Sequence, residues 1–414
     1  MLVDRLLSTI RPMNTAPIVP TTLPELINIY GGGVTVAGER VTPESSKKIA
    51  TAYRCGNILS DDVAKMPLQV YQKTNPRTVD RILPDGRIRN LAWMLEVQPN
   101  QWMNPFIWKK TAMLWLLYYG NAYLWQPPNQ RELFILPAHA TYPEFLPDGS
   151  LWYHTTFANG VTDDLPDTEI LHLMINSIDG FIGRSVITYA RETLGRQLGA
   201  HRTQSKFYDQ GLNASGILWS SAELSPEART KAREEFERVA SGSDNAYRVV
   251  VADPKFTKFE QISMKASDMQ FLQGIDATDQ DICNFFGVPL YKLNQGKQSY
   301  QSNEQQNIDY LNTTLDPYLV QWEQAAALSW LSVREQGTTY FRFNRDVLLR
   351  TAAAARNDVL VKKIQSGQLS PNEARNIEDQ SAYEGGDGYF MPSNIVPIGN
   401  VGKNAIPSAG GSGK

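Results

Sequence analysis

Arg184–Gln210, RSVITYARETLGRQLGAHRTQSKFYDQ, runs for 27 residues without a proline. Ile187, Ala190, Leu194 and Leu198 recur at intervals of three, four and four, which is one apolar stripe on one helix. At ~1.5 Å per residue that helix is roughly 40 Å long, more than the width of a small domain. Gly195 and Gly199 sit inside it. Each costs about 1 kcal/mol against Ala, so the pair implies the close approach of another helix, either in the same core or from a neighbouring subunit. After Gln210 the pattern changes. Ser215–Ser220 reads as a strand, Ser225-Pro226-Glu227 as the cap of a charged helix to about Val239, and Arg248–Ala252 as a second strand. Ser267–Gln270 fits a capping box for a further helix through Phe271, Ile275, Ile282 and Phe286, which Gly287 and Pro289 end. Two long helices therefore bracket a small α/β insertion.

Upstream, the first 41 residues read as an irregular arm, with four prolines between Pro12 and Pro24 and the run Gly31-Gly32-Gly33. Order is expected from Thr42-Pro43-Glu44, a helix cap followed by a helix that stops before Pro67. Leu68–Gln72 reads as a strand, Asn104-Pro105 to Gly120 as a helix, Asn121–Trp125 and Arg131–Leu136 as paired strands, and Leu151–Phe157 as another. Downstream, Leu290–Gln306 is a polar, amide-rich loop. A long helix to about Val333 follows, which Pro317 must kink or restart. Thr339–Phe343 reads as a strand, Asp346–Ile364 and Pro371–Ile377 as helices, and the glycine-rich residues beyond 385 as a tail. The fold class is α+β.

The 414 residues suffice for two or three compact units, and a composition 42% apolar and 20% charged is globular rather than disordered. A formal net charge of −3 argues against tight static binding of duplex DNA, which rests on Lys and Arg neutralising phosphates. Two cysteines, Cys55 and Cys283, exclude a disulfide framework and a Cys-rich zinc module, and make reduced chemistry the expectation. The longest uncharged apolar run, Ala112–Tyr119, is far short of the ~20 residues a membrane span needs. The N-terminal stretch carries Asp4 and Arg5 and has no signal-peptide core.

Catalytic patterns are missing. His139, His154, His172 and His201 lie neither at helical metal-ligand spacing nor near a cysteine, so each reads as solvated or hydrogen-bonded. Gly296-Lys297 is half a phosphate loop, but Tyr291 and Gln298 stand where Gly and Ser/Thr are needed. Asp61-Asp62 and Asp163-Asp164 are neighbours that diverge on a helix or strand, and read as solvated surface. No Gly-x-Ser-x-Gly elbow occurs.

Several segments resemble the HK97-type phage portal protein family. Glu169-Ile170-Leu171-His172 with Asp179-Gly180-Phe181-Ile182-Gly183-Arg184-Ser185 looks like the approach to that family's stem helix. Lys206-Phe207-Tyr208-Asp209-Gln210-Gly211, then Ser215-Gly216, resembles the exit into its clip. Phe286-Gly287-Val288-Pro289 with Ser302-Asn303-Glu304-Gln305-Gln306 is similar to the surroundings of its tunnel loop. Ala52–Ile58, Tyr119-Gly120-Asn121-Ala122-Tyr123 and Leu369–Arg375 fit as well, so the match runs in order over roughly residues 45–395. Arg184 and Asn213 stand where the family often has small residues.

The resemblance implies a portal fold: an N-terminal arm (1–41), a wing (42–183), a stem helix (184–211), a clip (212–263), a second stem helix (264–287), a tunnel loop (288–306), a further wing helix and strand (307–345), a crown (346–384) and a tail (385–414). It implies a ring, usually dodecameric, at one vertex of the capsid in the virion, assembled in the host cytoplasm. Double-stranded DNA would pass through it transiently and without regard to sequence. Its partners would be the terminase large subunit, the major capsid protein and a head-tail adaptor protein, with no cofactor, no metal, no membrane and no catalysis. On this reading Lys292, Asn294, Gln295, Lys297, Gln298 and Ser299 face the DNA channel; Leu194, Gly195, Leu198 and Gly199 pack subunits in the stem; Arg229, Lys231, Arg233, Glu234 and Glu237 meet partners at the clip. A near-neutral chain with an amide-rich loop suits a conduit, because each phosphate neutralised slows sliding. Two alternatives stand beside it: a nucleic-acid-processing enzyme of a mobile element using scattered acids, and another non-catalytic connector ring of the head-tail junction.

Overall fold

A computed structural model describes residues 33–75, 78–128, 130–209, 216–220, 225–231, 234, 256–261, 275–293, 303–348, 353–377 and 381–390. Met1–Arg345 and Asp346–Lys414 are separate units. The expected α+β mixture is present, but its first element is a difference. Gly33–Val34 (β1) and Arg40–Val41 (β2) pair as a hairpin inside the stretch that reads as an irregular arm. Thr35 holds it, its backbone and hydroxyl exchanging hydrogen bonds with Glu39 at 2.9–3.2 Å.

Thr42 then caps a single turn, Pro43–Ser46 (α1), through a capping box with Ser45. Ala50–Lys65 (α2) follows and ends at Met66, one residue before Pro67. Leu68–Asn75 (β3) and Thr78–Arg81 (β4) form a hairpin, and Leu91–Glu96 (α3) packs against β3. Asn104 caps Pro105–Tyr119 (α4), and Gly120 ends that helix at φ +82°, a conformation that favours glycine. Asn121–Trp125 (β5) pairs with Phe134–Leu136 (β6) on one side and with Ile170–Met174 (β10) on the other. Thr141–Phe145 (β7), Leu151–Thr156 (β8) and Thr162–Pro166 (β9) make a separate antiparallel meander.

The long helix is Val186–Asp209 (α5). Gly216–Ser220 (β11) pairs with Phe256–Gln261 (β12). The expected partner strand at Arg248–Ala252 and the capping box at Ser267–Gln270 lie outside the described residues. Ile275–Phe286 (α6) leads back, and Asn303–Tyr310 (α7), a wide turn at Leu311–Leu315 and Asp316–Trp330 (α8) follow. The wide turn is how the chain accommodates Pro317, which has no amide hydrogen and whose ring crowds the carbonyl four residues earlier. Thr339–Phe343 (β13) joins β3 on its open edge. The second unit holds Ala353–Gln365 (α9) and Pro371–Ile377 (α10), so the helix expected from Asp346 begins later, after a short turn at Arg345–Val347.

The core lies where α2, α4 and α8 meet. Gly56 of α2 lies under the Tyr118 ring, whose hydroxyl donates to Ala52 O at 3.0 Å. Trp108 of α4 meets Trp322 of α8 edge-on at 5.8 Å, and Trp322 reaches Phe343 of β13 at 6.2 Å. The Gln321 amide binds Met174 O, so α8 bridges the two sheets.

One node orients α5. Gly183 presses so closely on Gly120 that a side-chain carbon at either would collide with the other's backbone. Asn121, fully buried, accepts from Gly183 N–H at 2.7 Å and from His172 Nε2 at 2.9 Å, and donates to Gly183 O at 2.9 Å. Because the amide oxygen only accepts, Nε2 of His172 carries the ring proton, which leaves Nδ1 to face the Tyr153 hydroxyl at 3.4 Å. Burial pushes the His172 pKa down to about 3.

Two outcomes follow from this node. Gly183→Ala lowers thermal stability by about 2–4 kcal/mol, whereas Gly149→Ala, where the space is open and only φ +87° opposes a side chain, costs about 1 kcal/mol. For His172 the unfolded chain binds a proton that the folded one refuses between pH 6.5 and about 3, so stability falls as pH falls through that window, by up to about 1.4 kcal/mol per pH unit from this group. Melting temperatures measured at pH 7 and pH 5 check this: His172→Gln loses less between the two than the native chain does.

Candidate nucleic-acid interface

The amide-rich segment is bounded by Leu290–Leu293, a short turn after α6, and by α7. Asn294, Gln295, Lys297, Gln298 and Ser299 lie outside the described residues. Both flanks are described, and they are pinned. Gly287, at φ +69°, lets the chain turn off α6, and its carbonyl accepts from Thr314 Oγ1 at 2.8 Å. Tyr291 Oη donates to Gln306 O at 2.7 Å, closing the base of the segment from one flank to the other.

Both flanks also converge on Asp62 of α2. Its Oδ2 accepts from Tyr310 Oη at 3.1 Å and lies 3.8 Å from Lys292 Nζ, while Oδ1 takes Lys65 Nζ at 3.0 Å. The Lys292 ammonium also sits 4.3 Å over the Tyr310 ring. Burial holds the Lys292 pKa below the usual lysine range, against the pull of Asp62. Burial and Asp62 together push the Tyr310 phenol well up, and burial pushes Tyr291 to about 12, so both hydroxyls stay protonated. Lys292 is thus half-buried and partnered within the chain.

Asp62 corrects the reading of Asp61-Asp62 as solvated. Asp61 does face outward, to Lys110 at 2.6 Å, but Asp62 is buried. Cys55, Leu59 and Val63 mark the inward stripe of α2, and position 62 falls on it, three residues after Leu59. The periodicity carried that signal; the charge of the residue obscured it. Tyr291, Tyr310 and Asp279 escaped sequence reading as well. Asp279 accepts from Thr51 Oγ1 at 2.7 Å and Gln197 Nε2 at 3.0 Å, and so joins α2, α5 and α6.

One expectation in the stem needs a correction. The close approach at Gly195 is made by the β1–β2 hairpin, not by another helix: a side-chain carbon there would overlap Thr35. Gly199 faces Ala37 and Glu39 at ordinary contact distance. Glu39 takes Arg202 at 3.1 Å, and Glu192 accepts from Val36 N–H at 3.1 Å. Leu194 is fully buried within its own chain, while Leu198 and Gly199 are half-buried. At the β11–β12 insertion Arg229, Lys231 and Glu234 are exposed; Arg233 and Glu237 lie outside the described residues.

Among the described residues no three His, Cys, Asp or Glu side chains lie together as a metal site, and no helix is long and apolar enough to cross a membrane.

The two flanks of residues 294–302 are held together at Asp62 and at the Tyr291–Gln306 bond, and the relatives of this chain give its class. A model of the phage portal protein family matches residues 50–379. The portal protein of Enterobacteria phage HK97 is 26% identical over 392 residues, covering 92% of this chain and 89% of that protein. The probable portal protein of Streptomyces phage phiC31 is 27% identical over 395 residues, covering 91% and 84%. The crystal structure of an HK97-family phage portal protein from Corynebacterium diphtheriae superposes with a TM-score of 0.55 at 16% identity, covering 78% of this chain and 98% of that one. A chain from the neck of a native gene transfer agent particle, solved with C12 symmetry, gives 0.52 at 20% identity, covering 92% and 100%. The chain belongs to the phage portal protein family, the portal proteins of phage heads.

The clamp makes a stability prediction. Asp62→Ala strands Lys292 and the Tyr310 hydroxyl and costs about 2–3 kcal/mol in denaturant unfolding. Asp61→Ala, at a partly exposed ion pair, costs less than about 1 kcal/mol.

Proposed function

We propose that the chain assembles into a closed ring of about a dozen copies at one capsid vertex and conducts double-stranded DNA along its axis, inward during packaging and outward during ejection. The C12 symmetry of the gene transfer agent neck supports the copy number. The observation that carries the DNA role is the clamp on both sides of residues 294–302. Tyr291 binds across to Gln306, and Asp62 gathers Lys292 and Tyr310. A segment held at both ends can touch a moving duplex without being dragged away by it. Its residues, with Asn294, Gln295, Gln298 and Ser299 beside Lys297, offer weak, sequence-blind contacts to phosphate. Lys292, already partnered, serves the base of the loop and reaches phosphate only by leaving Asp62.

Arg229, Lys231 and Glu234 would be part of the surface that meets the terminase large subunit during packaging and a head-tail adaptor protein afterwards, together with Arg233 and Glu237. Leu198 and Gly199 would pack subunits in the stem. Catalysis belongs to the motor in this scheme, and the chain itself needs no metal or cofactor. Assembly would take place in the host cytoplasm, with the major capsid protein surrounding the ring in the virion.

The test is DNA content per particle in a phage that carries Lys297→Glu. A carboxylate in place of each loop ammonium repels phosphate at close range, most strongly at low salt. Rings and capsids are expected to form normally while packaged DNA falls at least about threefold. Full packaging and normal ejection would exclude a channel role for this loop.

A further inference from the structure

The two cysteines stand 228 positions apart, and folding brings them together: Sγ of Cys55 on α2 lies 3.8 Å from Sγ of Cys283 on α6. Cys55 is fully buried and Cys283 nearly so, and both are free thiols. The helices are held in register around them. Thr51 binds Asp279 at 2.7 Å, one turn before each cysteine, and Tyr118 packs edge-on against Phe286 at 6.2 Å. A disulfide bond is about 2.05 Å long. Closing the remaining ~1.8 Å requires the two side chains to rotate toward each other.

We infer that Cys55 and Cys283 are an oxidation site, which closes to an intramolecular disulfide when the protein meets a peroxide. Either thiol can donate to the other across this contact; in the inferred step Cys283, in the last turn of α6, is the attacking sulfur. The Cys283 thiolate attacks one peroxide oxygen. The O–O bond breaks, and the departing hydroxide takes up the proton that Cys283 gave up, leaving as water. Cys283 is then a sulfenic acid. Cys55 Sγ attacks Cys283 Sγ, the S–S bond forms, the S–OH bond breaks, and a second water leaves with the Cys55 proton. Two thiols lose two electrons and the peroxide gains two.

The bond would tie two elements that carry the base of the loop. Cys55 lies seven residues before Asp62 on α2, and Cys283 four residues before Gly287 at the end of α6. The site rests on thiol geometry alone, and stands whether or not residues 294–302 line a channel.

The experiment treats the purified full-length chain with hydrogen peroxide under native conditions, blocks remaining thiols in denaturant, and maps the peptides by mass spectrometry. The expected result is a linked Cys55–Cys283 peptide pair lighter by two hydrogens, with no free thiol left. The melting temperature should rise by several degrees and return on treatment with dithiothreitol. Cys283→Ser should lose both the linked pair and the rise. Two surviving thiols, sulfinic acids on separate cysteines, or disulfides between chains would each overturn the inference.

Discussion

Two glycines in backbone contact set the course of the long helix α5. Gly120 ends α4 in a left-handed turn and offers its carbonyl to Ile175 N–H at 2.9 Å, while Ile175 O in turn takes Arg184 N–H at 2.8 Å. Gly183 fits against Gly120 only because neither has a side chain, and the buried Asn121 ties the two strands of backbone together. Ser185 Oγ then accepts from Ile187 N–H at 2.9 Å, and α5 starts at once. The direction of the longest helix is therefore decided at its root. Gln197 carries that direction to Asp279, which fixes α6 against α2, and α6 delivers the chain to the clamped loop. A flaw at the root would misplace α5 and, through Gln197 and Asp279, α6, and the polar cluster there is hydrogen-bonded accordingly.

Much of this was readable from residue pattern where the signal was local. Asn104-Pro105 and Gly120 bracket α4 because a cap, a preset φ and a left-handed glycine act within a few residues. The apolar stripe from Ile187 to Leu198 announced α5 for the same reason. The hairpin at Gly33–Val41 did not read as ordered, because its stability comes from Glu192, Arg202 and Gly195 on a helix about 160 positions away. Gly195 itself was legible as a point of close approach, but not what approaches it. The Tyr119–Tyr123 and Asp179–Ser185 segments are legible as portal-like motifs, while the glycine contact that joins them appears only in the folded chain.

The candidate site was legible in outline only. An amide-rich run between a Gly-Val-Pro turn and a long helix marks a loop, yet nothing local says what holds its ends. Asp62 does, from 230 residues upstream of Lys292. A charged residue on an apolar stripe is the one trace it leaves. The same contact changes what the lysines mean: Lys292 is spent on the base, so in the proposed channel the contact with phosphate would fall to Lys297. Weak, neutral contacts on a firm mount suit transport better than affinity would, since a conduit must release each phosphate it meets.

The proposed ring carries the clamped loop on its axis. A cryo-electron microscopy map of the purified full-length chain tests it most directly. The expected map shows closed rings of about a dozen 46.5 kDa subunits, with residues 288–306 on the channel wall and Asp62 behind them. Rings that carry this segment on their outer rim, or a chain that stays monomeric at every concentration and with capsid protein present, would contradict it.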